Sequence, residues 1–164
     1  MARMRQLSPK GAYLSQTIHG YKGYSTAGTA RETDQVFSEE ILEKLSETVS
    51  TAARMKRLVA GNADPEVLPT LDIVTDKADK LARDIADAVP TEDTLLEALE
   101  NGKADEIIDL DSAILEKVGN INQALSMMDL KGGVGITPDD LDSACELLDD
   151  LGNYLRERAI ILAG

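Results

Sequence analysis

The sequence predicts an all-α protein. The expected architecture is an antiparallel four-helix bundle of up-down-up-down topology, with an additional short helix and a non-helical N-terminal arm. Three observations support it. Apolar residues recur at three- and four-residue spacing along four long segments. Capping residues, end charges and apolar spacing agree on where those segments begin and end. Acidic residues are absent from residues 1–31 and crowd the remainder. The first 31 residues carry a formal +5 (Arg3, Arg5, Lys10, Lys22, Arg31), and residues 32–164 carry −18 within an overall −13. The expected domains are therefore a basic, Gly/Tyr-rich arm over 1–31 and an acidic helical-bundle domain over 32–164.

Gly11, Gly20, Gly23 and Gly28 interrupt helical periodicity in the arm. Tyr13–His19 reads either as part of a flexible tail or as a short strand pairing with another chain. The first long helix is expected from about Thr33 to Val59, capped by Thr33 or Asp34. Glu39, Glu40 and Glu43 lie early in it, and Arg54, Lys56 and Arg57 lie late, before Gly61. That order suits the helix dipole. Its apolar face is Phe37, Ile41, Leu42, Leu45, Val49, Ala52 and Ala53.

The second helix is expected to be capped by Asp64 with Pro65 at its first position, or to be delayed by Pro69 to about Thr70. Leu71, Val74, Ala78, Leu81, Ile85 and Ala88 form its seam, and Pro90 stops it. A short helix from Thr91 to about Glu100 ends at Asn101–Gly102. The next long helix runs from about Ala104 to Asp129, with Ile107, Leu110, Ile114, Val118, Ile121, Leu125 and Met128 as its stripe. After a loop over Lys131–Gly135, Thr137 caps the last helix and Pro138 opens it. Leu141, Ala144, Leu148, Leu151 and Leu155 form the last stripe, with Arg156 and Arg158 near the end. Helices of roughly 25 residues are about 35–40 Å long, and short connections would set sequential neighbours antiparallel. Ala159–Gly164 is apolar around the whole helix, which predicts packing under the arm or on another subunit.

Little of this pattern carries chemistry. The Lys131–Gly135 loop lacks P-loop spacing, and Asp139, Asp140 and Asp142 would repel an anion beside it. His19 is the sole histidine, so no Glu-x-x-His pair and no Ser/His/Asp system can be built in the helical body. Cys145 is the sole cysteine. It excludes an intramolecular disulfide and reads as a small core residue. Asp105, Asp109 and Asp111 lack the spacing of a calcium loop. Pairs such as Asp109/Asp111 and Asp149/Asp150 read as a solvated acidic face. No catalytic, cofactor-binding or metal-ligating residue is assigned, and no cofactor is expected. No run reaches the roughly 18 apolar residues of a membrane span. The start lacks the apolar core of a secretory signal, and its glycines and Pro9 weaken an organellar transit reading. A cytoplasmic location, with no membrane partner, is the expectation.

The arm is the unusual segment. Arg3, Arg5, Lys10, Tyr13, His19, Tyr21, Lys22, Tyr24 and Arg31 are the candidate partner-binding residues. Tyrosine buries area while keeping a polar tip, and the basic charges match an acidic protein surface such as another copy of this chain. The favoured function is a non-catalytic structural or assembly protein that self-associates or docks an acidic partner. Its expected signature is that removing residues 1–31 leaves a folded monomer that no longer assembles. The alternatives are a regulator or chaperone-like binder of a basic protein through the acidic helices, and single-strand nucleic-acid binding through the arm. The −18 body opposes the last of these.

Overall fold

The computed structural model describes residues 7–60, 65–132 and 135–163. Arg3, Arg5, Gly61, Asp64, Gly164 and the centre of the Lys131–Gly135 loop lie outside the described residues. The described chain is all-helical, with six helices: α1 Pro9–Thr17, α2 Ala27–Val59, α3 Val67–Asp87, α4 Glu92–Glu100, α5 Ala104–Leu130 and α6 Pro138–Ala163.

The N-terminal segment departs from expectation, because residues 9–17 are helical. The Ser8 side chain accepts a hydrogen bond from the Gly11 N–H at 3.1 Å, and Pro9 occupies the first turn, where it has no helical N–H to lose. Gly11 does not break this helix. It gives close approach instead, since a Cβ there would lie 3.2 Å from the Leu7 Cβ. Gly20 and Gly23 do serve as turn residues, with φ of 89° and 81°.

The expected boundary at residue 31 falls inside α2. That helix starts at Ala27, six residues before Thr33, because the Thr26 hydroxyl accepts the Thr29 N–H at 3.2 Å and caps it. Gly28 is carried within the first turn, at a cost of about 1 kcal/mol relative to alanine.

The later helices follow the sequence closely. Pro69 sits in the first turn of α3 and does not delay it. Thr91 caps α4. Thr137 and Asp140 cap α6 reciprocally: the Asp140 N–H donates to the Thr137 hydroxyl at 3.3 Å, and the Thr137 N–H donates to the Asp140 carboxylate at 3.0 Å. That backbone hydrogen bond lowers the Asp140 pKa.

The long helices pack as α2 on α3, α5 on α6, α2 on α5, and α3 on α6. The residues paired across these faces give their directions. Lys56 meets Asp72, so α2 and α3 are antiparallel from their connection. Lys117 meets Asp150 and Asp111 meets Arg158, so α5 and α6 are antiparallel. Thr48 meets Asn122 and Arg54 meets Asp129, so α2 and α5 ascend together. Lys77 meets Asp149 and Leu81 meets Gly152, so α3 and α6 also ascend together. Not every packed pair is antiparallel, because the connection from α3 to α5 is not a short turn. It contains α4, which packs on α2 and α6, and α5 emerges beside α2.

The core is aliphatic, with Ile41, Leu45, Leu71, Ile107, Ile114, Ile121, Leu125 and Leu148 among its buried members. Leu14, Ile18, Tyr21 and Tyr24 belong to the same buried cluster. The N-terminal segment is thus part of the core, and α1 packs on α5.

Candidate functional site

The polar residues that converge most tightly lie where the N-terminal segment meets α2, α5 and α6. Gly20 and Gly23 turn the chain between α1 and α2 so that Tyr21 and Tyr24 point inward, with their rings edge-to-face at 6.2 Å. Tyr21 also meets the Phe37 ring edge-on at 6.5 Å. Both hydroxyls donate to Oδ2 of Asp111, Tyr21 at 2.8 Å and Tyr24 at 2.5 Å. Arg158 of α6 donates through Nε to Asp111 Oδ1 at 2.5 Å. One of its terminal nitrogens donates to Asp34 of α2 at 2.8 Å, and the other donates to the Tyr24 hydroxyl at 2.8 Å. The guanidinium carbon lies 4.6 Å from the centre of the Phe37 ring, a cation–π contact. Thr33 adds a local tie. Its hydroxyl donates to the Gly23 carbonyl at 2.9 Å and accepts the Lys22 N–H at 3.1 Å.

All five polar members are buried, and Asp111 is wholly so. No buried side-chain nitrogen or oxygen among the described residues lacks a hydrogen-bond partner. Satisfaction of this kind is what permits charges in a core.

The electrostatics follow from burial. Burial, then the Asp111 charge, pushes the Tyr21 hydroxyl far above its ordinary pKa. Burial does the same for Tyr24, against the opposing pull of Arg158. Burial raises Asp111 above the ordinary carboxyl value, although Arg158 and the two tyrosines oppose it. For Arg158, burial works toward a lower pKa, but Asp111, Tyr24 and Asp34 outweigh it and hold the group charged. The cluster therefore consists of one cation, two carboxyl groups and two phenols that stay protonated. Chemically it is a tie between four chain segments, with no phenolate or free base poised for proton transfer.

Of the arm residues expected to bind a partner, the structure brings Tyr21 and Tyr24 together but seals them inside the chain. Their assignment to an intermolecular surface is corrected: burying two rings and satisfying both hydroxyls on Asp111 outcompetes exposure. Lys10, Tyr13, His19, Lys22 and Arg31 are exposed. Lys10 pairs with Asp109 at 3.5 Å and Lys22 with Glu32 at 3.2 Å. Tyr13 stands beside a groove between α1 and α5 that Ser112, Glu116 and Gly119 also line.

Asp111 is likewise not part of a solvated acidic face, although Asp109 is exposed. Arg158 does not simply serve the α6 dipole, since it is the buried cation of the cluster. The sequence held a signal for these residues. Asp34 falls between Ala30 and Phe37, Asp111 between Ile107 and Ile114, and Arg158 between Leu151 and Leu162. Each is a charge on a buried stripe. Cys145 is half-buried, and burial raises its thiol pKa. Among the described residues, no group of three or more His, Cys, Asp or Glu side chains is placed to hold a metal ion, and no helix is long and apolar enough to cross a membrane.

Comparison with known proteins finds no matching family model, no similar curated protein and no similar solved structure.

Proposed function

We propose that this chain is a non-catalytic structural or adaptor protein, a rigid helical unit that self-associates or docks a protein partner through its outer surface. One observation carries the reading: the converging charged and phenolic groups are spent on one another in a sealed internal tie, so the chain's most expensive polar arrangement serves rigidity. The four long helices are proposed to alternate in direction along the chain and to close as a bundle with spatial order α2, α3, α6, α5. A cytoplasmic setting goes with the unpaired Cys145.

The proposed docking face is the exposed remainder of the N-terminal segment: Lys10, Tyr13, His19, Lys22 and Arg31. These residues lie on a chain that is otherwise strongly acidic. A second copy supplies a complementary surface, because the helical body carries the opposite charge. Sedimentation of the full chain over a range of concentrations tests this. The expected result is a mass above the monomer that falls with rising salt and is lost in a Tyr13→Ala/Arg31→Glu variant with unchanged helical circular dichroism. A wild-type mass that stays monomeric at every concentration, or a variant that assembles like wild type, overturns self-association through this face.

A further inference from the structure

Beyond that reading, we infer that a trough between α3 and α6 binds one single-chain aliphatic carboxylate, with its chain along the apolar wall and its head group beside Arg156. The helices fix the trough. α3 and α6 approach closely where Gly152 faces Leu81, close enough that a Cβ at residue 152 would lie 3.2 Å from the Leu81 side chain. Further along, the facing residues are small (Ala88 and Ala159), α3 ends at Asp87, and a gap is left between the helices.

Two cavities result. One of about 220 Å³ is walled by Phe37, Ile41, Leu81, Ile85, Leu155 and Leu162. A second of about 230 Å³ is lined by Val89, Pro90, Thr91, Thr94 and Ala163. Ala88, Ala159 and Leu162 line both, so the first cavity adjoins the second. From the level of Lys80 to that of Ala88 it extends about 12 Å at 1.5 Å per residue. Val89, in the lining of the second cavity, is 73% exposed.

Charge orients the occupant. The inner wall at Arg158 is a poor place for an anion, because its guanidinium is already engaged by Asp34 and Asp111. Lys80, Asp84 and Arg156 also line the first cavity. Lys80 donates to Asp84 at 2.8 Å. Arg156 makes no ion pair among the described residues and donates only to Asn153 at 3.4 Å. Lys80, Asp84 and Arg156 together sum to one net positive charge on a protein of net −13, so a carboxylate is the head group that fits. The apolar walls supply affinity for the chain.

Calorimetric titration of the full chain with monomeric octanoate, decanoate and dodecanoate tests the inference, with decanol as the uncharged probe. The expected result is one saturable site whose affinity rises about fourfold per added methylene until the trough is full. Arg156→Gln, on the surface, should weaken decanoate severalfold and leave decanol unchanged. Ala88→Trp, also at an exposed position, should abolish both while helical content and melting temperature hold. Ala159→Phe should do the same from inside. Absence of saturable decanoate binding overturns the proposal, as does binding indifferent to Ala88→Trp. Equal affinity for decanol and decanoate overturns the placement of the head group.

Discussion

Asp111 presents one oxygen to two phenols and the other to a guanidinium, all out of water. Removing it strands three donors and leaves Asp34 as the one carboxylate paired with Arg158. Asp111→Ala is therefore expected to cost about 3–5 kcal/mol, the range for breaking a buried pair from one side. Asp111→Asn keeps an acceptor for the phenols and should cost less. Urea denaturation of the two variants checks the order. The tyrosines give a pH signature. Their native pKa values are raised, so the native state keeps phenolic protons that the unfolded chain releases near pH 10. The stability they contribute is complete below that pH and is lost as pH rises above it. In an alkaline titration, the phenolate absorbance of Tyr21 and Tyr24 should appear together with loss of helical signal. Phenolate from either residue in a fully helical chain would contradict the buried geometry. For Asp111 the raised native pKa means stability that is present in acid and lost as pH climbs through the native pKa. Asp111→Asn should flatten that limb of the profile.

Two glycines in neighbouring turns have opposite roles at the level of the element. Gly23 has φ of 81°, and a Cβ there would lie 2.8 Å from Leu7 Cδ2. Gly28 lies in the first turn of α2 with nothing within 4 Å of an added Cβ. Gly23→Ala should destabilise by about 1–2 kcal/mol or more through the left-handed backbone, and Gly28→Ala should stabilise by about 0.5–1 kcal/mol. Thermal melts of the pair check both signs. The same residues show why the elements were unequally legible. From α3 to α6 the apolar stripes are regular, threonine caps open α4 and α6, and the sequence placed each helix to within a few residues. In the first 30 residues glycine has three meanings: close approach at Gly11, reversed backbone at Gly20 and Gly23, and a tolerated helical position at Gly28. Composition does not distinguish them, so α1 was unreadable and α2 was expected to start late. The cluster was legible only as an anomaly. Asp34, Asp111 and Arg158 break three apolar stripes, but no local rule says that three anomalies on three helices will meet.

At the scale of the molecule, the N-terminal segment is structural. Leu14 and Ile18 each bury apolar surface worth about 1.5–3 kcal/mol, and Tyr21 and Tyr24 anchor the cluster. Against a typical domain stability of about 5–15 kcal/mol, deleting residues 1–26 should leave a loosened or unfolded chain. A truncated chain that melts cooperatively at the wild-type temperature would show that this packing contributes little. The contact between Tyr24 and Arg158 spans 134 positions of a 164-residue chain. During synthesis the tyrosines and the carboxyl groups of Asp34 and Asp111 must wait for a cation made 134 residues after Tyr24. Nascent chains halted short of that arginine should remain protease-sensitive, and protection should appear once it is added.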